Sequence, residues 1–191
     1  MPSTTAPSLL AAARDGHSDA WQQIVHLYGP LIYGWCRRVG RQSADAADAT
    51  QDVLMSVSRD LHRFDPEIAG ATFRGWLWTI TRRRLADQAR QHARRIEQAE
   101  GSLGSVVAAG AVEAEEPPTD AAADRAAVIS RAAAILRDQF EPNSWQAFWA
   151  TVAEGRQPAE VAESLGMSRW AVYKARARVL QRLREELEGL I

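Results

Sequence analysis

The sequence predicts an all-α protein: two small helical domains joined by a flexible acidic linker. Three observations lead there. Apolar residues recur every three or four positions through most of the chain, with no β-branched alternating run and no strand–glycine–helix pattern. Hydrophobic residues make up 46% of the 191, but much of that share is alanine, which favours helix and buries little area, so small lobes fit better than one thick core. Charge is also segregated. Residues 71–95 hold seven arginines and one acid, whereas 96–124 hold seven acids and no base. The domains expected are 8–95, a linker at 96–124, and 125–191.

Taken in order, Ser8 is placed to cap a short helix over Leu9–Arg14 that Gly16 ends. Asp19 caps a second helix with Trp21, Ile24, Val25 and Tyr28 at helical spacing. Gly29-Pro30 should bend or restart it, since proline lacks the donor a helix interior needs. Leu31, Ile32, Trp35 and Val39 continue the apolar face to Gly40. Ser43 to Phe64 reads as an amphipathic helix: Ala46, Ala49, Val53, Val57 and Leu61 make one stripe, and Asp45, Asp48 and Asp52 lie on another face. Asp65-Pro66 stops it.

Thr72 to about Arg95 forms the next helix, with Phe73, Trp76, Leu77 and Ile80 as its stripe. At about 100° per residue Trp78 points away from that stripe, beside Arg74 and Arg82. An aromatic between two cations suits single-stranded nucleic acid; packing against a neighbouring helix is the other reading. Residues 96–124, with Gly-Ser-Leu-Gly, alanines, Glu-Glu-Pro-Pro and no aromatic, read as linker. Helices follow over 124–139 and from Pro142 or Asn143 to Gly155, the latter carrying Trp145, Phe148, Trp149 and Val152, of which Trp145, Phe148 and Trp149 are read as core.

The net charge of −1 conceals two basic patches, because the acidic linker cancels them. The second patch, Arg169, Lys174, Arg176, Arg178, Arg182 and Arg184, has no acid between Gly166 and Arg184. Phosphate attraction depends on the local field, so two grips on nucleic acid are expected. Cys36 is alone, which excludes an internal disulfide and a cysteine-based zinc site. The four histidines show no ligand spacing, and neither a Ser/His/Asp arrangement nor a phosphate loop is present. No catalytic centre, metal or cofactor is therefore expected. The N-terminus lacks a signal-peptide pattern and no apolar stretch approaches the ~20 residues of a membrane span, so a cytoplasmic location without membrane insertion is expected.

Residues 158–177 fit a helix-turn-helix. Ala162 is small where two helices approach, Gly166 can take the positive φ of the turn, and Val172 returns to the core. Ser168 can cap the second helix, which would bury Val172, Ala175, Val179 and Leu183. That leaves Arg169, Trp170, Tyr173 and Lys174 outside, where a recognition helix meets the major groove.

Four passages in order now resemble the extracytoplasmic-function (ECF) sigma factors, the promoter-recognition subunits of bacterial RNA polymerase. They are the segment from Ala13 through Trp21 to Pro30; the acidic helix from Asp45 to Leu54, similar to D-x-x-Q-D/E-V; Phe73 to Arg82, similar to F-R-x-W-L-x-x-I-x-R/T; and Val161 to Tyr173, similar to the C-terminal helix-turn-helix. Any one alone is weak; the ordered set is specific.

The resemblance implies a role in transcription initiation as an alternative sigma factor, with residue roles to match. Asp45, Asp48, Gln51 and Asp52 fall where the family docks on the clamp helices of the polymerase β′ subunit. Asp65, Thr72, Arg74, Trp78, Arg82, Arg83, Arg90 and Arg94 fall on the −10 DNA surface. Ser168, Arg169, Trp170, Tyr173, Lys174, Arg176 and Arg178 fall on the −35 surface. The partners implied are core RNA polymerase, through the β′ clamp and the β flap, promoter DNA, and an anti-sigma factor as a family expectation. Arg82-Arg83-Arg84 stands where the family commonly has Asn, and Trp170 and Tyr173 are bulky in the recognition helix, so promoter sequences are not carried over. The alternative is a helix-turn-helix regulator acting without core polymerase, which leaves the acidic helix idle.

Overall fold

A computed structural model describes residues 8–100 and 116–191, the side chains of His92 and residues 95–100 excepted. Among the described residues the chain is helical and holds no strand: α1 Leu9–Arg14, α2 Ser18–Arg38, α3 Ser43–Asp60, α4 Phe73–Glu100, α5 Ala121–Leu136, α6 Pro142–Val152, α7 Pro158–Leu165 and α8 Arg169–Glu186. The chain divides into an N-terminal unit, Leu9–Ala126 with Gly189–Ile191, and a C-terminal unit, Ala127–Glu188.

In the N-terminal unit α2 packs against α1, α3 and α4, and α3 packs against α4. Ile24, Ile32, Trp35, Val53, Val57, Leu77 and Leu85 are fully buried between them. Two expectations are corrected here. First, α2 runs through Pro30 as one helix, so it does not restart there. Proline does remove one helical hydrogen bond, but Leu27, Tyr28, Leu31 and Ile32 on both sides of it are buried, and their burial outweighs that local cost of about 3 kcal/mol. Second, the buried stripe of α4 is Phe73, Leu77, Trp78, Thr81 and Leu85, not Phe73, Trp76, Leu77 and Ile80. Trp76 and Ile80 are half-buried at its margin.

α3 ends at Asp60, and a 3-10 turn over Leu61–Arg63 completes the predicted segment. Arg14 of α1 closes this turn by donating to the carbonyls of Phe64 and, at 3.4 Å, Leu61. The buried hydroxyls of Thr50 and Thr81 are satisfied by donating to the Ala46 and Leu77 carbonyls one turn back.

The expected linker is trimmed at both ends. α4 runs on to Glu100, and α5 starts at Ala121. Asp120 caps α5, its carboxylate accepting from the Ala123 amide at 2.8 Å. The middle of the predicted linker, 101–115, lies outside the described residues.

The C-terminal unit packs α6 against α7 and α8, and α7 against α8. Ala147, Ala150, Val161, Ala162, Val172 and Ala175 form one cluster. Its small residues allow the close approach a helix-turn-helix needs. Gly166 ends α7 in the left-handed region at φ 62°, ψ 30°. Ser168 caps α8 by accepting from the Ala171 amide at 3.1 Å. Gly166→Ala is expected to cost this unit roughly 1 kcal/mol in urea denaturation, through backbone alone, since an added Cβ there meets nothing within 4 Å.

Candidate nucleic-acid and polymerase interfaces

On α3, helical geometry of about 100° per residue sets Asp45, Asp48, Gln51 and Asp52 on one side. Asp45, Asp48 and Gln51 are exposed, and neither Asp45 nor Asp48 has an ion-pair partner among the described residues. Asp52 differs: it is half-buried and accepts from the Gln88 side chain of α4 at 3.0 Å. Next to it Ser56 donates to the Asp52 carbonyl and accepts from Arg84 Nε at 2.7 Å, so this edge is fastened to α4. Sequence reasoning missed Met55, which is 58% exposed and lies one heptad beyond Asp48 on the same side. An exposed methionine among acids gives the face an adaptable apolar contact. The heptad spacing from Asp48 was the signal for it.

The segment before α4 and α4 itself carry the residues expected at −10 DNA. Asp65 and Thr72 are exposed, but each already has a local task. Asp65 accepts from the Glu67 amide at 2.9 Å, and Thr72 Oγ1 accepts from the Gly75 amide at 3.0 Å, capping α4. Arg83 and Arg94 are exposed and Arg82 is half-buried. Arg90 is exposed and pairs with Asp87 at 2.5 Å.

Trp78 is the clear correction. It is 2% exposed and packs edge-to-face on Trp35, with ring centroids 5.6 Å apart. The Arg74–Trp78–Arg82 ladder presents no indole face to a base, because α2 covers the side of α4 that a helical wheel alone left open.

Arg74 is enclosed as well. Its Nε donates to Asp124 Oδ2 at 2.6 Å, one terminal nitrogen donates to the Thr119 carbonyl at 2.6 Å, and its guanidinium lies 5.8 Å from the Trp35 ring centroid. Thr119 Oγ1 accepts from Trp35 Nε1 at 2.7 Å and donates to Asp124 Oδ2 at 2.5 Å. The Arg74 and Asp124 side chains are only 20% and 9% exposed. Thr119 and Asp124 escaped sequence reasoning, as did the bond from Trp35 Nε1 to Thr119. Nothing in a run of alanines marks its aspartate for burial, and the two partners are 50 positions apart.

In the C-terminal unit α8 buries Val172, Ala175, Val179 and Leu183. Arg169, Trp170, Tyr173, Lys174, Arg176 and Arg178 are all exposed, as is Ser168, whose hydroxyl is engaged as the cap. Trp170 is 70% exposed and Tyr173 54%, and Lys174 Nζ lies 5.0 Å from the Trp170 ring centroid. Together they make a cationic aromatic surface at the start of the helix, fit for groove edges and phosphates.

Cys36 is fully buried, and burial pushes its thiol pKa up, so it offers no ready thiolate. Among the described residues no group of three or more His, Cys, Asp or Glu side chains is placed to hold a metal ion, and no helix is long and apolar enough to cross a membrane.

Residues 24–95, the greater part of the N-terminal unit, match the family model for sigma-70 region 2. The chain is also 27% identical to the RNA polymerase sigma factor CarQ of Myxococcus xanthus over 177 residues, which is 93% of this chain and 94% of that protein. The chain is thus similar to sigma factors, in the second case over nearly the whole length of both proteins. Other relatives agree. It is 30% identical over 126 residues to the ECF sigma factor SigK of Mycolicibacterium vanbaalenii, covering 65% of this chain and 59% of that protein. It is 29% identical over 85 residues to the ECF sigma factor RpoE of Cereibacter sphaeroides, where the match spans about half of that protein, 46%. As an alternative sigma factor its role is in transcription initiation, with core RNA polymerase and promoter DNA as partners. Sigma factors are in general non-enzymatic and act on RNA polymerase in the cytoplasm.

Proposed function

We propose that this chain acts as an ECF sigma factor that engages promoter DNA at two places and core polymerase at a third, with no catalytic centre of its own. The observation that carries the DNA reading is α8. A capped helix opens on exposed Arg169, Trp170, Tyr173 and Lys174, and Arg176 and Arg178 extend the same basic surface. We assign this surface to −35 duplex: the basic side chains neutralise phosphates, and the first turn reads base edges.

The N-terminal unit then serves −10 DNA through Arg82, Arg83, Arg90 and Arg94 on α4, with Asp65 and Thr72 at the mouth of the preceding segment. Arginines in that position neutralise phosphates and hold opened strands. Asp45, Asp48 and Gln51, with Met55 beside them, form the face for the β′ clamp helices, and acids on one side of a helix suit a basic partner. Asp52 contributes less, because Gln88 already engages it. The β flap and an anti-sigma factor remain partners proposed from the family resemblance.

The test uses the complex with core polymerase, a duplex selected by that complex, and salt titration. Arg169→Ala or Lys174→Ala is expected to weaken duplex binding by about tenfold and to reduce the salt slope by about 1 for each phosphate no longer neutralised, with co-elution with core enzyme unchanged. Loss of core binding in these variants would refute the assignment. Specific duplex binding by the isolated chain would instead favour a regulator acting without polymerase.

A further inference from the structure

We propose that Asp124 and Thr119 form an internal cap on Arg74 that stands in for a DNA phosphate and keeps this arginine from nucleic acid until the cap is displaced. The proposal rests on the reading of α4 as a −10 DNA surface. Its basis is the chemistry of the clasp. Arg74 presents Nε and a terminal nitrogen to two oxygens, Asp124 Oδ2 and the Thr119 carbonyl, both at 2.6 Å. Two short, charge-assisted bonds from one guanidinium to paired oxygens are also how arginine holds a phosphate.

The capping groups come from a different stretch of chain. Thr119 and Asp124 lie 45 and 50 positions from Arg74, so they can leave without unwinding α4. The cap is also held independently of Arg74. Thr119 Oγ1 accepts from Trp35 Nε1, and Asp124 sits in the first turn of α5, where the helix dipole favours an anion. Arg74 retains an outer edge, at 20% side-chain exposure, from which an incoming anion can compete. Displacement returns Asp124 to water and leaves Arg74 paired, so neither charge is stranded in the core.

An occupied cap reduces apparent affinity by the fraction of molecules that are open. The experiment is fluorescence anisotropy of the full chain with a fluorescein-labelled single-stranded oligonucleotide of mixed sequence. Thr119→Val removes the hydroxyl at the centre of the clasp without changing net charge. It is expected to tighten binding by about fivefold, and Asp124→Asn should move affinity the same way. In an Arg74→Ala background the gain from Thr119→Val should vanish. An equal gain in that background would show that it does not run through Arg74 and would overturn the proposal.

Arg83→Ala separates the DNA surface from the cap. If it weakens binding while Thr119→Val changes nothing, the DNA surface stands and the cap does not. If Arg83→Ala also leaves binding unchanged, the reading of α4 fails and the cap fails with it.

Discussion

Asp48→Arg is expected to abolish assembly with bacterial core RNA polymerase, read as loss of stoichiometric co-elution in size-exclusion chromatography. Asp48 is exposed on α3, so the substitution should leave the fold intact. Its effect is a change of two charge units at the centre of the acidic face. Against a basic partner helix, an attraction becomes a like-charge contact, which costs several kcal/mol, and every ~1.4 kcal/mol is tenfold in affinity. Asp48→Ala removes only the attraction and should weaken assembly without eliminating it. Asp52 is a poorer probe, because its bond to Gln88 ties α3 to α4 and its loss would mix stability with docking. Unchanged co-elution of Asp48→Arg would remove the docking role from this face.

Trp78→Ala is expected to destabilise the N-terminal unit by about 3–5 kcal/mol, the range for deleting a large buried aromatic. The edge-to-face contact with Trp35 contributes about 0.5–1.5 kcal/mol of the loss. Small domains are stable by only about 5–15 kcal/mol, so much of the margin would go. Trp170→Ala makes the same chemical change at a site 70% exposed, and should stay within about 0.5 kcal/mol of the parent in urea denaturation. The pattern for DNA is the reverse. Trp170→Ala should impair duplex binding by the polymerase complex, and Trp78→Ala should impair it only as far as the N-terminal unit unfolds. Equal stability costs for the two substitutions would contradict the buried position of Trp78.

These two tryptophans show where sequence reasoning holds and where it stops. Trp170 was legible because its surroundings are local. Ala162, Gly166 and Val172 set the helix-turn-helix, and helical phase then puts Trp170 outside. Trp78 was not legible, because its burial depends on α2 lying across α4, a relation between residues 43 positions apart for Trp35 and Trp78. A helical wheel drawn for α4 alone left two readings of that face, nucleic acid or a packed helix, and in the folded unit it is covered. Pro30 shows the same limit in the other direction: the local rule allowed a bend or a restart, and with burial on both sides of the proline the helix does not restart.

The sequence by itself determined the helical class, most helix ends, the left-handed turn at Gly166, the cap at Ser168 and the two basic patches. It also held the ordered motifs that resemble those of the ECF sigma factors. Each of these is carried by a few neighbouring residues through period, φ preference or capping chemistry. Only the tertiary structure decided that Trp78 is core, that Asp52 is shared with Gln88, and that Arg74 is enclosed by Thr119 and Asp124. A side chain's exposure and its ion-pair partner depend on which distant helix or segment comes to lie beside it, and nothing in the spacing along one helix specifies that neighbour.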